Sequence, residues 1–207
     1  MPGPDTLFIS LADFGSLAAM SLEEAPEKSL VWRPTLGDGH DDDRSRAVSA
    51  QAHAYGITQI VEAPLQPLLT ATIDPDWPDD LGVLLLAAAR EARARGCRRV
   101  VWTGHHGRAF ESFSRSCETI MLVNEVLAQA GGLTTAPIEA PLLESTDAQV
   151  VELADRGVAP LESAWWRRDC PGVSPCGGCK DCNRWLEAFE AARVVWPWPI
   201  AMSATGA

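Results

Sequence analysis

The chain has 207 residues, 46% of them hydrophobic, and a formal net charge of −11 from 17 Lys and Arg against 28 Asp and Glu. That length makes about one domain burying roughly 70% of its unfolded surface, which excludes a disordered chain. The acidic balance excludes a protein that coats duplex nucleic acid through a global basic field.

In chain order, Thr6–Ser10 reads as a first strand, Gly15–Leu22 as a short helix and Ser29–Trp32 as a second strand. Pro34–Asp43 is polar and turn-rich and contains three consecutive aspartates, Asp41 to Asp43, a weak candidate for Mg²⁺. Arg44–Tyr55 reads as a helix stopped by Gly56, Ile57–Glu62 as a third strand, and Pro64–Asp80 as a proline-rich connection. Leu81–Arg95, rich in Ala, Leu, Glu and Arg and closed by Gly96, is the clearest helix. Its apolar start is nine residues long before Arg90, Glu91 and Arg93 intervene, too short to span a membrane. Arg98–Thr103 is a fourth strand stopped by Gly104, Ser116–Ala130 a helix ended by Gly131 and Gly132, and Ala136–Ala140 a short fifth strand. Thr146 caps a helix running to about Arg156, and Cys182–Arg193 is a last helix. The first thirty residues are acidic, with no basic leader, so a cytoplasmic protein is expected.

Strands alternating with helices, in units of about thirty residues, predict right-handed crossovers and a parallel sheet. Ligands of such sheets bind at the carboxyl ends of the strands, which points to Ser10–Ser16, the loop after Trp32 and Gly104–Arg115.

Four of the six cysteines fall in thirteen residues, as Cys170-x5-Cys176-x2-Cys179-x2-Cys182, whereas Cys97 and Cys117 are scattered. Such clustering reads as a metal site and not as a disulfide framework. Four thiolates saturate a tetrahedral Zn²⁺, so the zinc would be structural, and Gly172, Gly177 and Gly178 let the backbone turn between ligands. The alternative is an iron–sulfur cluster, since Cys176-x2-Cys179-x2-Cys182 also matches three cluster ligands with a remote fourth.

The cysteine segment, Cys170-Pro-Gly-Val-Ser-Pro-Cys176-Gly-Gly-Cys179-Lys-Asp-Cys182-Asn-Arg-Trp-Leu-Glu-Ala-Phe189, resembles the end of the 7-cyano-7-deazaguanine synthase (QueC) family. So do Ala140-Pro-Leu-Leu143 with the helix ending Glu152-Leu-Ala-Asp-Arg-Gly157, and the helix, strand and Thr-Gly step from Leu84 to Gly104. The resemblance implies an adenine-nucleotide α-hydrolase-like fold: a three-layer, Rossmann-like α/β domain with a parallel sheet and a C-terminal four-cysteine zinc subdomain. It also implies an ATP-dependent carbon–nitrogen ligase that adenylates 7-carboxy-7-deazaguanine and converts it to the nitrile with ammonia, a step in queuosine biosynthesis. Structural zinc and a dimer belong to the same expectation. Domain bounds of 1–160 for the α/β domain, 161–195 for the zinc loop and last helix, and 196–207 for a flexible tail follow.

The sequence departs from that family in its phosphate loop. The family has Ser-Gly-Gly-x-Asp-Ser after the first strand; here Ser10-Leu-Ala-Asp-Phe-Gly-Ser16 keeps Ser10 but puts Leu11 and Ala12 for both glycines and Phe14 for the aspartate. Ser10, Asp13, Gly15, Ser16 and Gly104 are the candidate nucleotide-binding residues. A family lysine falls at or near Asp147, and Arg33 and Arg44 are candidates to replace the lost positive charge. After the fourth strand, His105, His106, Arg108, Phe110, Phe113 and Arg115 are candidate substrate residues: arginines for a carboxylate or phosphate, aromatics for a planar base, histidines for protons.

Three functions are therefore in view. One is an ATP- and Mg²⁺-using synthase. Another is a zinc-stabilised pseudoenzyme that binds a nucleotide, a 7-deazapurine or a protein partner without turnover. The third is an iron–sulfur redox module. Trp165-Trp-Arg-Arg168 reads as an interface patch or as a packing anchor for the zinc loop, and Trp196-Pro-Trp-Pro199 likewise as an interface patch or, the preferred reading, as a tail that docks on its own domain.

Overall fold

The computed structural model describes residues 3–35, 37, 39–65, 81–107, 110–131, 136–165 and 175–199, with 110–112 and 131 described by backbone alone. Five strands, β1 Thr6–Ile9, β2 Ser29–Thr35, β3 Gln59–Pro64, β4 Arg99–Trp102 and β5 Ile138–Glu139, form one sheet in the order β3-β2-β1-β4-β5. All four pairings are parallel, with Ile9 in register with Trp32 on one side and Trp102 on the other. Among the described residues six α-helices accompany them: α1 Phe14–Ser21, α2 Asp41–Ala54, α3 Leu81–Arg95, α4 Phe110–Gly131, α5 Asp147–Arg156 and α6 Lys180–Ala192. The result is the three-layer α/β architecture that the alternation of strands and helices predicts.

The two-residue period of the strands divides the core. Phe8, Val31 and Val101 face α1, α2, α5 and α6, while Leu7, Ile9, Leu30, Trp32, Val100 and Trp102 face α3 and α4. Both faces are covered, which is why β1 and β4 carry almost no polar residue. The strand order reverses direction between β1 and β4, so the crevice at their carboxyl ends is the switch point where such sheets place ligands. No helix among the described residues is long and apolar enough to cross a membrane.

Most predicted elements are present, α3 at the predicted bounds. Several boundaries shift by one or two residues, β3 to Gln59–Pro64, β5 to Ile138–Glu139 and the start of α6 to Lys180 among them, and three larger differences have physical reasons. β2 runs three residues beyond Trp32, because Arg33, Pro34 and Thr35 pair with Glu62, Ala63 and Pro64 of β3 and the Arg33 charge is met by carboxylates. α2 begins at Asp41, so the three aspartates form a helical first turn, where their charge favours the helix dipole, and not a turn-rich loop. α4 begins at Phe110, six residues before the predicted start. Phe113, Cys117, Ile120, Val123 and Leu127 recur at helical spacing against the α3-side core, and that period continues through the Ser- and Arg-rich stretch read as loop.

α5 starts with a reciprocal capping box between Thr146 and Gln149, a device worth about 1 kcal/mol. It ends where Gly157 crosses α1 so closely that a β-carbon there would stand 2.2 Å from the Ser21 β-carbon. Gly157→Ala should therefore cost about 1–3 kcal/mol of unfolding free energy by forcing α1 and α5 apart, measured by denaturant titration against wild type.

Candidate ligand site and cysteine centre

β1 delivers Ser10 to the crevice, and the chain then turns into α1 through Leu11, Ala12 and Asp13. Asp13 is the N-cap of α1, its Oδ1 accepting from the Ser16 amide and hydroxyl, both at 2.8 Å. Ala12 adopts a left-handed backbone (φ 68°), the conformation a glycine takes without cost and an alanine at about 1–2 kcal/mol. Its carbonyl is held by the Gln51 side-chain amide and the Trp165 backbone amide, each at 2.7 Å. Gly15 is needed for close approach, since a β-carbon there would lie 2.3 Å from the Thr103 carbonyl. The loop thus keeps a tight turn without its expected glycines.

Its donors point inward, however. The Leu11 amide donates to Ser16 Oγ (3.2 Å) and the Ala12 amide to Ser10 Oγ (3.1 Å). Thr103 Oγ1 donates to the Ile9 carbonyl at 2.7 Å and lies 3.3 Å from Ser16 Oγ. Phe14 is fully buried, its ring 4.4 Å from Trp185 and 5.3 Å from Phe189 between centroids.

Arg33 and Arg44 are both buried and hold carboxylates: Arg33 pairs with Glu62 at 2.9 Å and Asp41 at 3.5 Å, and Arg44 with Asp41 at 3.0 Å. The Asp41 side chain also accepts from the Gly37 amide. Glu62, bonded by Ser45 and Arg33, is held below the usual carboxylate range. Trp165 lies under Arg44, 4.9 Å from the guanidinium carbon, with His40 at 5.4 Å. Trp165 is thus a packing anchor, but for the loop after β1.

The two histidines after β4 point apart. His106 Nε2 meets Ser116 Oγ at 2.8 Å. His105 Nε2 meets Asp147 Oδ1 at 2.9 Å, and Arg184 of α6 donates to the same carboxylate through Nε and Nη2, both at 2.8 Å. Burial pushes the Asp147 carboxyl up, but the bonds from Arg184 and His105 and their charge outweigh it and hold the group far below the usual carboxylate range. The position where the resemblance implies a lysine thus carries the opposite charge, neutralised by an arginine that sequence reasoning passed over. Its only signal was a reversed charge at 147 and a cation two residues after Cys182.

Gly104 sits over the Trp102 ring. Phe113 is half-buried against the α3-side core, and Arg115 lies on the exposed side of α4, so neither is on a loop. Arg108 and the Phe110 side chain lie outside the described residues.

At the start of α6, the sulfurs of Cys176, Cys179 and Cys182 all lie within 4.8 Å of one another. Cys176 and Cys182 are 3.9 Å apart, close to the edge of about 3.8 Å that tetrahedral Zn–S bonds require. The Cys179 and Gly178 amides donate to Cys176 Sγ (3.3 and 3.5 Å), and the Cys182 amide to Cys179 Sγ (3.4 Å), which favours thiolates over thiols. Cys179 is also the N-cap of α6. The three fit one side of a metal centre; Cys170, the fourth predicted ligand, lies outside the described residues, as do Trp166, Arg167 and Arg168. Cys97, on the other side of the domain, is a buried thiol pushed up to about 11 by desolvation.

Because the Asp147 carboxyl is depressed, the stability it contributes is fully present above about pH 4 and is lost as pH falls below it. Asp147→Asn should lower stability at pH 7 and flatten the acid limb of a stability–pH curve; an unchanged acid limb would remove the pair from the fold's electrostatics.

A family model described as Queuosine biosynthesis protein QueC matches residues 78–193, from just before α3 to the end of α6, and leaves the loop after β1 outside the match. Among solved structures, U34-tRNA thiolase NcsA from Methanococcus maripaludis with its 4Fe-4S cluster is similar at a TM-score of 0.46 and 16% identity, over 93% of this chain and 71% of that one. No curated protein matches. With more than half of its length matched, including the predicted substrate segment and the cysteine motif, the chain belongs to the QueC family.

Proposed function

We propose that this chain is a QueC-family binding protein that takes a 7-deazapurine or nucleotide-type ligand at the carboxyl edge of the sheet without the ATP-dependent adenylation step. The observation that carries this reading is the inward closure of the loop after β1. Leu11 and Ala12 direct their amides to serine hydroxyls, and Phe14 is buried under α6. Phosphate transfer needs donors and cations aimed at developing charge. Here Arg33, Arg44 and Arg184 each already hold a carboxylate. Ser10, Asp13, Gly15, Ser16 and Gly104 then form the floor of the crevice, and His105, His106, Arg108, Phe110, Phe113 and Arg115 are the candidates for its heterocycle and acid group. The left-handed Ala12, which preserves the tight turn, favours a second reading in which the loop opens to admit ATP and the chain is an active ligase.

Calorimetric titration of metal-replete protein with 7-carboxy-7-deazaguanine, with Mg-ATP, and with both together separates the two. The proposed function gives binding of the deazaguanine, near −8 kcal/mol for micromolar affinity, with no dependence on ATP. Mg-ATP binding followed by pyrophosphate release establishes the ligase in its place.

For the cysteine centre we propose structural zinc, on the tetrahedral sulfur spacing and the amide donors to sulfur. Metal analysis should return one zinc per chain and no absorption near about 400 nm, the signature of an iron–sulfur cluster. Cys179→Ser should lose the metal and lower the melting temperature. Full metal content with unchanged melting would refute the structural role.

A further inference from the structure

The Asp147 carboxylate lies between two regions that the chain separates widely. On one side is α6, whose first turn is built on the cysteine centre: Cys179 caps it, Cys182 is fully buried, and Arg184 follows two residues later. On the other side is His105, whose side chain is only 5% exposed. Its Nδ1 lies 3.4 Å from where a β-carbon on Gly15 would stand, and Asp13 Oδ1 lies 3.5 Å from the same point. The imidazole is thus seated against the first turn of α1, at the floor of the crevice. Asp147 Oδ1 accepts from Arg184 and His105 at once. A carboxylate in this state only accepts, so His105 carries its proton on Nε2 and turns Nδ1 toward α1.

We propose that occupancy of the cysteine centre governs the orientation and tautomer of His105 in the crevice, with Arg184 as the positioning residue that transmits it through Asp147. Two bonds from one guanidinium fix the plane of the carboxylate as well as its position, which a single donor does not. Metal on Cys176, Cys179 and Cys182 holds the first turn of α6 and therefore the root of Arg184. When the metal leaves, that turn keeps its amide-to-sulfur bonds and the bond from the Asn183 amide to the Cys179 carbonyl but loses the link that ties Cys176, Cys179 and Cys182 together, and the root of Arg184 is held less firmly. The Asp147 carboxylate then swings more freely on His105, whose imidazole faces the carboxylates of Asp147 and Asp13 with the Arg184 cation less well placed to offset them. The charged groups around the imidazole are thus Asp147 from α5, Arg184 from α6 and Asp13 from the loop into α1. The Trp185 ring, 5.9 Å away, supplies its apolar wall.

The coupling draws its functional meaning from the crevice being the ligand site, but it is tested on ligand-free protein, so its failure and that of the calorimetric reading are separate results. The experiment is long-range ¹⁵N–¹H NMR of histidine-labelled full chain, with His105 assigned from His105→Gln. Metal-replete wild type should show a single tautomer with a slowly exchanging Nε2–H. Arg184→Ala keeps every cysteine and should retain its metal, yet exchange of that proton should quicken by at least about tenfold or its signal vanish. Arg184→Lys should recover part of the protection. Chelation should reproduce the Arg184→Ala spectrum in wild type and change nothing further at His105 in Arg184→Ala. A protected Nε2–H in metal-replete Arg184→Ala overturns the proposal, as does a chelation effect of equal size in wild type and variant, or none in wild type.

Discussion

One carboxylate, on Asp147, closes a circuit through the three segments that define the crevice. Burial alone would drive that group toward its neutral form; the bidentate guanidinium of Arg184 and the imidazole of His105 reverse the balance and keep it charged. A charge held in this way is costly to strip of its partners. The N-terminus of α5, the start of α6 and the turn after β4 are therefore bound to one another as firmly as by packing. The cysteine centre sits at the head of one of these segments, since Cys179 caps α6, the helix that carries Arg184.

The loop after β1 shows how a turn can outlive the residues that make it easy. Ala12 keeps a left-handed backbone because its carbonyl is gripped by Gln51 and Trp165, and Asp13 caps α1 by accepting from the Ser16 amide and hydroxyl. The shape survives while the chemistry of the loop has turned inward. Membership of the QueC family accounts for the cysteine motif and the α3-to-α6 frame, and this loop stands outside the matched span. Family membership therefore rests on the part of the chain from α3 to α6 and says nothing of what this loop does.

Local patterns were the legible part of the fold. The Ala- and Leu-rich period of α3 marked both its ends, and Thr146 with Gln149 marked the start of α5. The first turn of α2 and the first six residues of α4 were not legible, because aspartate, serine and phenylalanine carry weak helical preference and tertiary contact decides their state. In the site, spacing sufficed for the three cysteines and for the loop's missing glycines. The ion pairs of Arg33 with Glu62 and of Arg184 with Asp147 were hidden, since partners separated by 29 or 37 residues leave no period to read, and the pair of Arg44 with Asp41 follows only once α2 starts at Asp41. The conformation of Ala12 was equally hidden, because it is imposed by residues far along the chain.

Phe14 and the rings that enclose it, Trp185, Phe189 and Trp198, are widely separated along the chain. During synthesis, α1 therefore leaves the ribosome with its aromatic seat bare, and it stays bare until these rings have emerged. Contacts of such long sequence separation slow folding and extend the time during which sticky surface is on view. The cysteine motif, residues 176–182, emerges just ahead of the rings that cover Phe14. The nascent chain thus keeps the Phe14 ring on view until α6 and Trp198 are available to close over it.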